Sequence, residues 1–263
     1  MDLDSARLWL AEQKNEDGSW GYVSGNAGAG EPTLLAVASG QDAPLDWLRA
    51  VDLGWSNLTV PTCLSATERC DDLVDSARAL IVSRRGEVVQ AALDFDPTIP
   101  AWPWFEGTSP WVEPTAYAVL SLRHMGMHNH QRCLDGIRML LDRQCDDGGW
   151  NYGNPAILGA RLESDLATTG RVVLALPTSD ATARALVRLR DTLDWQSTEH
   201  LSLAALAHVA HDEDPSLFLS ALASRQQVDG SFTGRVDRTA LAVMAFAAGE
   251  SGQCALFVRG STP

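Results

Sequence analysis

The sequence predicts an all-α fold, built as one domain over residues 1–263 from helix pairs that repeat along the chain. Three observations predict it: a turn motif that recurs three times, helical spacing of apolar residues, and an alternation of two kinds of helix. One helix pair of this kind cannot bury its own apolar face. The pairs must therefore pack on one another, as an open stack or as a closed ring.

The turn motif begins at Gln13 as QKNEDGSWGY, at Gln144 as QCDDGGWNY and at Gln226 as QQVDGSF. Each copy follows a helical run and is followed by an acid, a threonine and an apolar run. The glycine that comes after an aspartate in each copy predicts a tight turn that ends the preceding helix.

Two kinds of helix alternate. SARLWLAEQ from Ser5, QRCLDGIRMLLDRQ from Gln131 and ATARALVRLRDTL from Ala181 each have one apolar face. A second set is apolar nearly all round and rich in alanine: LLAVAS, AYAVLSL, SLAALAHVA and ALAVMAFAA. Helices of the second kind are touched on most faces, so we expect them to form an inner layer inside the amphipathic ones. The last dozen residues are predicted to fray.

The segment from Phe95 to Val112 carries four prolines and is predicted to be a long loop. It also concentrates aromatic residues, namely Trp102, Trp104, Phe105 and Trp111, with Tyr117 just after it. The sequence leaves open whether this loop acts as a lid. Aromatic faces stabilise cations, although the same residues serve equally well for packing.

Composition excludes several partners. The formal net charge of -14 argues against a nucleic-acid backbone or an anionic membrane surface. No apolar run approaches the ~20 residues of a membrane-spanning helix, and the acidic start MDLDSARLWL has no signal-peptide pattern. The five cysteines form no close-spaced pair, so we expect reduced thiols and a cytoplasmic protein. No cofactor is expected.

The repeat Gln, three residues, Gly, any residue, aromatic resembles the QW motif of squalene and oxidosqualene cyclases. Protein prenyltransferase β subunits belong to the same wider group. The copy at Gln144 matches in full, the copy at Gln226 has Phe232 for tryptophan, and the copy at Gln13 has one extra residue. A degenerate copy, AWPWFEG, begins at Ala101. The resemblance implies an α/α toroid of up to six helix hairpins.

In such a closed ring the inner helices are parallel, and their N-termini gather at one end of a central cavity. Their dipoles make that end partly positive, which suits an anion. Three inner helices begin with an acid, any residue and threonine, at Glu31, Glu113 and Asp237. The cyclases of the family protonate their substrate with an aspartate in DxDDTA or DCTA, and the resemblance places that role on Glu113 with Asp237 as an auxiliary acid. The neighbouring aspartates of that motif are absent here, and helix capping is the alternative role.

The first hypothesis is therefore a class II terpene cyclase-like enzyme that acts on an isoprenoid by protonation and carbocation chemistry. Its substrate-binding residues would be Trp102, Trp104, Phe105, Trp111, Tyr117 and Glu31. The second hypothesis is a non-catalytic toroid that binds an apolar ligand or a protein partner. The third is a prenyltransferase-like protein.

The sequence contains two possible metal motifs. DDLVD, from Asp71 through Asp72 to Asp75, matches the DDxxD form that holds magnesium and diphosphate in class I isoprenoid synthases, but acids that open a helix also fit its dipole. The zinc ligands of the prenyltransferases are not matched. Glu68, Cys70 and His124 are a distorted substitute, so no metal is predicted.

Overall fold

The structure, a computed structural model, describes residues 1–88, 95–191 and 197–258. The helices are α1 (Leu3–Glu12), α2 (Gly30–Ala38), α3 (Leu45–Ala50), the 3₁₀ helix η1 (Gly54–Thr59), α4 (Val60–Cys63), α5 (Asp71–Ser83), α6 (Val112–His124), α7 (Gln131–Asp142), α8 (Leu166–Ala175), α9 (Asp180–Asp191), α10 (Thr198–Ala210), α11 (Ser216–Ala223) and α12 (Val236–Ser251). A two-residue antiparallel hairpin, β1 (Ala156–Ile157) with β2 (Ala160–Arg161), joins α7 to α8.

The even-numbered helices form the inner layer and close on themselves. Each packs on the next even-numbered helix along the chain, from α2 through α4 to α12, and α12 packs back against α2. The helices α1, α5, α7, α9 and α11 pack outside them against one or two inner neighbours. The predicted all-α toroid is confirmed, and the ring is closed rather than open.

Burial separates the two layers as the sequence indicated. Every residue of α10 from Leu201 to Val209 is buried, whereas α9 buries only one face. The short inner helix α4, a single turn of sequence VPTC, is buried throughout. The inner ring is therefore an apolar cylinder that the outer helices shield from water.

The start of α1 is bonded to the turn that precedes α12, beside the contact between α12 and α2. The Gln226 side chain donates to the carbonyl of Asp2 at 2.7 Å and accepts from the Asp2 amide at 2.8 Å. Leu256 and Phe257, which follow α12, are buried, so the prediction that they fray was wrong. Residues 259–263 of that segment lie outside the described residues, and the assignment of one domain to residues 1–263 stays a prediction.

Candidate functional site

Four turns with the same hydrogen bonds hold the N-terminal ends of the inner helices α2, α6, α8 and α12. In each, an aromatic residue donates its backbone N–H to the hydroxyl of a threonine in the next inner helix, at 2.9–3.2 Å. The pairs are Trp20 with Thr33, Trp102 with Thr115, Trp150 with Thr169, and Phe232 with Thr239. Three of these threonines belong to the acid-x-Thr pattern. The turns therefore fix the positions of Glu31, Glu113 and Asp237, which lie two residues before those threonines.

The three tryptophans of these turns also tie the layers together. Each indole N–H donates to a carbonyl near the end of the preceding outer helix: Leu10 at 2.7 Å, Ile81 at 2.8 Å and Leu140 at 2.6 Å. Trp102 is one of them and is fully buried. It does not line the central cavity, so the expectation that it contacts substrate finds no support in this geometry; its position is that of a structural staple.

The central cavity lies inside the inner ring. Its volume, taken as the space that the centre of a water molecule can reach, is about 50 Å³. Every inner helix contributes to its wall, and leucine is the commonest lining residue: Leu35, Leu120, Leu174, Leu203, Leu241 and, beyond α12, Leu256. The chamber is apolar and, in this conformation, narrow.

One side of the cavity wall is aromatic. Trp55 and Tyr117 line the cavity with their rings stacked, their centroids 6.0 Å apart at 22°. Trp104 packs edge-on against Trp55 at 5.1 Å and is not among the lining residues. Tyr117 therefore lies in the cavity wall, and its contact with substrate stays a prediction, whereas Trp104 packs against the ring of Trp55.

The two remaining aromatic candidates lie away from the cavity. Phe105 is 69% exposed and Trp111 is 42% exposed. Trp111 lines a separate surface groove together with Phe95, Pro97 and Arg143. Residues 95–111 are irregular, as predicted, but they bring neither of these two side chains to the central cavity.

Glu31 is the carboxylate in the wall of the cavity. It lies in the first turn of α2, and its Oε2 accepts a 2.6 Å hydrogen bond from the hydroxyl of Tyr22. Burial raises the pKa of Glu31, and the hydrogen bond from Tyr22 partly opposes that shift. The described ion pairs do not include Glu31, so this carboxyl group can hold a proton next to an apolar chamber.

The acids in the first turns of α6, α10 and α12 are paired with arginines. Arg171, which also lines the cavity, contacts Oε1 of Glu113 at 3.0 Å and forms a second ion pair with Glu199. Arg238 pairs with Glu199 as well. Asp237 is 4% exposed, and its Oδ2 forms ion pairs with Arg235 Nη2 at 2.9 Å and with Arg238 Nε at 3.5 Å. We name Glu113, Arg171, Glu199, Arg238, Asp237 and Arg235 the rim network.

Burial and charge act differently on the rim acids. The pKa of Glu113 is raised by burial, and the charge of Arg171 opposes the shift. The pKa of Glu199 is lowered because two guanidinium groups outweigh the effect of its burial. Neither Glu113 nor Asp237, the acids that the sequence favoured, lines the cavity.

Several residues of this site were missed by the sequence analysis, among them Trp55, Arg171 and Glu199. Arg171 is the one charged residue in the apolar run LATTGRVVLA of α8, and a charge in such a run is a signal that could have found it. Glu199 opens α10 without the threonine that marks the other acids. Trp55 lies in the 3₁₀ helix, where no periodic pattern distinguishes it.

The acidic motif DDLVD lies on the outer helix α5. Asp72 receives two bonds from Arg49, at 2.7 and 2.9 Å, which lower the pKa of this carboxyl to about 2, and Asp75 pairs with Arg78 at 2.9 Å. Asp71 is exposed in the same first turn. None of the three lines the central cavity.

Within the described ranges, no three His, Cys, Asp or Glu side chains come close enough to hold a metal ion. In the same residues, no helix has the length and apolar character to cross a membrane.

Comparison with solved structures agrees with the architecture. A variant of the type II terpene cyclase MstE from Scytonema, in complex with geranylgeranyl dihydroxybenzoate, superposes with a TM-score of 0.53 at 15% identity. The match covers 88% of this chain and 65% of the MstE chain, so this chain spans just under two thirds of that protein's length. The apo form of MstE gives a TM-score of 0.41 at 14% identity, over 94% of this chain and 97% of the other. Neither a family model nor a curated protein matches the sequence. At this identity the likeness shows the fold alone.

Proposed function

We propose that this chain is an isoprenoid-handling enzyme of the class II terpene cyclase type, which starts carbocation chemistry by protonating an alkene. The observation that carries the proposal is Glu31, a buried acid with a raised pKa in the wall of an apolar cavity. A likeness in fold to a cyclase agrees with this choice but does not decide it.

The first step uses the proton of the Glu31 carboxyl group, whose protonated form is favoured by burial. The O–H bond of the carboxyl breaks while the π electrons of the alkene form a new C–H bond, which leaves a carbocation on the more substituted carbon. The hydrogen bond from Tyr22 stabilises the carboxylate that remains. The reaction closes when a neighbouring carbon loses a proton to a base, so the product is an isomer of the substrate.

The cation needs a wall that stabilises charge without adding a nucleophile. The faces of Trp55 and Tyr117 line the same cavity, and each aromatic face contributes about 0.5–2 kcal/mol towards a nearby cation. The leucine side chains exclude water, which would otherwise trap the cation as an alcohol.

Glu113 and Asp237 receive a different role from the one that the resemblance implied. Both are engaged by arginines, and neither lines the cavity. We assign proton donation to Glu31 and assign Glu113 and Asp237 to holding Arg171 and Arg238 in place.

The test is turnover of a panel of polyprenyl substrates, without added metal, by the wild type and single variants. Glu31→Gln keeps the size of the side chain and removes the acid, and we expect it to lower the rate by about 10²–10⁴-fold. The exposed Glu163→Gln is the matched control and retains the rate. Glu113→Gln distinguishes the two possible proton donors. If this variant abolishes turnover while Glu31→Gln does not, Glu113 is the proton donor, as the resemblance implied, and the assignment to Glu31 is wrong.

One observation favours the second hypothesis, a non-catalytic toroid that binds an apolar ligand. The interior accessible to a water centre, about 50 Å³, is small for a cyclic product, so side chains must move before a long chain can enter. Stoichiometric binding of an isoprenoid with no turnover by the wild type would decide for this binding role.

A further inference from the structure

The N-terminal end of the inner ring carries its own negative charge. Five of the inner helices have a carboxylate in the first turn or at the N-cap: Glu31, Glu113, Asp165, Glu199 and Asp237. The Asp165 carboxylate caps α8 by accepting from the amide of Thr168 at 2.8 Å. The sequence suggested that gathered helix dipoles would suit an anion at this end. In the structure these built-in carboxylates already compensate those dipoles.

The arginines of the rim network are committed to these carboxylates. Arg171 is held between Glu113 and Glu199, and Arg238 between Glu199 and Asp237. Arg235 donates from both Nε and Nη2 to Asp237, at 3.0 and 2.9 Å. An anionic head group would have to displace a carboxylate from a partly buried ion pair in order to reach a guanidinium, and breaking such a pair is strongly unfavourable.

Among Glu31, Asp165 and the rim network, the balance of charge is negative. Five carboxylates face three guanidinium groups, so a negative excess remains even when Glu31 holds its proton. The tyrosines nearby, Tyr22, Tyr117 and Tyr152, all have raised pKa values and stay neutral. Within the described residues no cluster of acids is arranged to hold a divalent ion that could neutralise a diphosphate.

We infer that the central cavity accepts an uncharged isoprenoid, as a hydrocarbon or an alcohol, and rejects one that carries a diphosphate. This inference rests on the proposed function for the isoprenoid part of the ligand. The rim network adds the selection: it offers an incoming chain no free cation and presents a negative field to an anion.

The test compares binding within matched pairs, farnesol with farnesyl diphosphate and geranylgeraniol with geranylgeranyl diphosphate, by titration calorimetry without divalent metal. We expect each alcohol to bind about tenfold or more tightly than its diphosphate. Glu199→Gln removes the carboxylate that Arg171 and Arg238 share. We therefore expect this variant to bind the diphosphate more tightly and to have a smaller ratio of alcohol affinity to diphosphate affinity. The control Glu163→Gln leaves this ratio unchanged. Raising the ionic strength should also narrow the ratio in the wild type, which needs no variant.

The result that overturns the inference is a diphosphate that binds the wild type as tightly as its alcohol, or no binding of any alcohol. A folded Glu199→Gln protein with the wild-type ratio would also overturn it. The assay separates this inference from the proposed function. If alcohols bind without turnover, the proposed enzymatic function is wrong but the preference for uncharged ligands still holds. If a diphosphate is turned over, the inferred preference is wrong but the enzymatic function still holds.

Discussion

Glu31 combines two properties that a proton donor to an alkene requires. Burial raises its pKa and so favours the protonated form, and the hydroxyl of Tyr22, 2.6 Å from Oε2, stabilises the anion that forms when the proton leaves. Glu113 has the burial, but its partner is a guanidinium in the rim network. The difference in partner, rather than a difference in burial, separates the two acids.

Removing the tyrosine hydroxyl should weaken the acid. The Tyr22 bond lowers the pKa of Glu31, so Tyr22→Phe raises that pKa and leaves the carboxylate without its donor. A hydrogen bond to a charged group contributes about 1.5–3 kcal/mol, so we predict that kcat falls by about 10- to 100-fold. The alkaline limb of the pH–rate profile moves to higher pH, because the protonated form is the active one. The control is Tyr152→Phe, at a half-exposed tyrosine; a fall in rate with an unmoved alkaline limb would contradict the assignment.

The same acid should make folding depend on pH. The pKa of Glu31 in the folded state is raised above its ordinary 4.5, so its contribution to stability is fully present below about pH 4.5 and is lost as the pH rises through the folded value. Urea unfolding of the wild type and Glu31→Gln across pH 4–8 measures this. We predict that the free energy of unfolding of the wild type falls relative to the variant as the pH rises. A difference that stays constant with pH would show that Glu31 is not perturbed.

Sequence patterns found part of this site, for physical reasons. The acid-x-Thr pattern identified Glu31, Glu113 and Asp237 because the threonine has a fixed partner in the turn before each helix. The pattern could not rank the three acids, since their difference lies in side chains outside the pattern: Tyr22, nine residues before Glu31, and Arg171, which is 58 residues from Glu113. Trp55 was out of reach because a lone aromatic residue in a 3₁₀ helix carries no periodic signal.

At the scale of elements, the turn between an outer and an inner helix is the repeated unit. Its aromatic residue bonds forward to a threonine through the backbone and, where it is tryptophan, backward to the outer helix through the indole. The degenerate copy at Trp102 keeps both bonds although it has lost the glutamine of the motif. The aromatic residue and the threonine therefore define this turn more consistently than the glutamine does.

Breaking one such turn should cost stability. In Thr169→Val the side chain keeps its shape, but the buried backbone N–H of Trp150 loses its 2.9 Å acceptor. An unsatisfied buried donor costs about 1–3 kcal/mol, and we predict a decrease of that size in the free energy of unfolding. Chemical denaturation of Thr169→Val and of the exposed control Thr108→Val measures it. Equal stability of the two variants would mean that the threonine does not hold the turn.

At the scale of the molecule, the ring closes where α1 and α2 meet α12. Ala6, Trp9 and Leu10 of α1 form a buried cluster with Val236, Ala240 and Val243 of α12. The recurring turn and the alternation of helix types were enough to predict the layers, because they set which helices must be covered. They could not choose between a ring and a stack; that choice depends on the contact between the first and last hairpins, which no local pattern encodes.

Closure predicts how the protein unfolds. Leu10→Ala removes a fully buried side chain at the seam and should lower the free energy of unfolding by about 2–5 kcal/mol. Leu8→Ala is the control on the same helix, because Leu8 is 61% exposed. In a closed ring both variants unfold in one cooperative transition, which circular dichroism and tryptophan fluorescence would report at the same denaturant concentration. Early separate loss of the first hairpin in Leu10→Ala would instead indicate an open stack.

The central claim is that a proton held by the protein starts the chemistry in the ring. The most direct measurement is the mass spectrum of the product formed from an uncharged polyprenyl substrate in D₂O. The carboxyl proton of Glu31 exchanges with solvent, so we predict an isomer of the substrate that has gained one deuterium on carbon, formed by the wild type and lost in Glu31→Gln. A product without deuterium, or the same labelled product from Glu31→Gln, would contradict the claim.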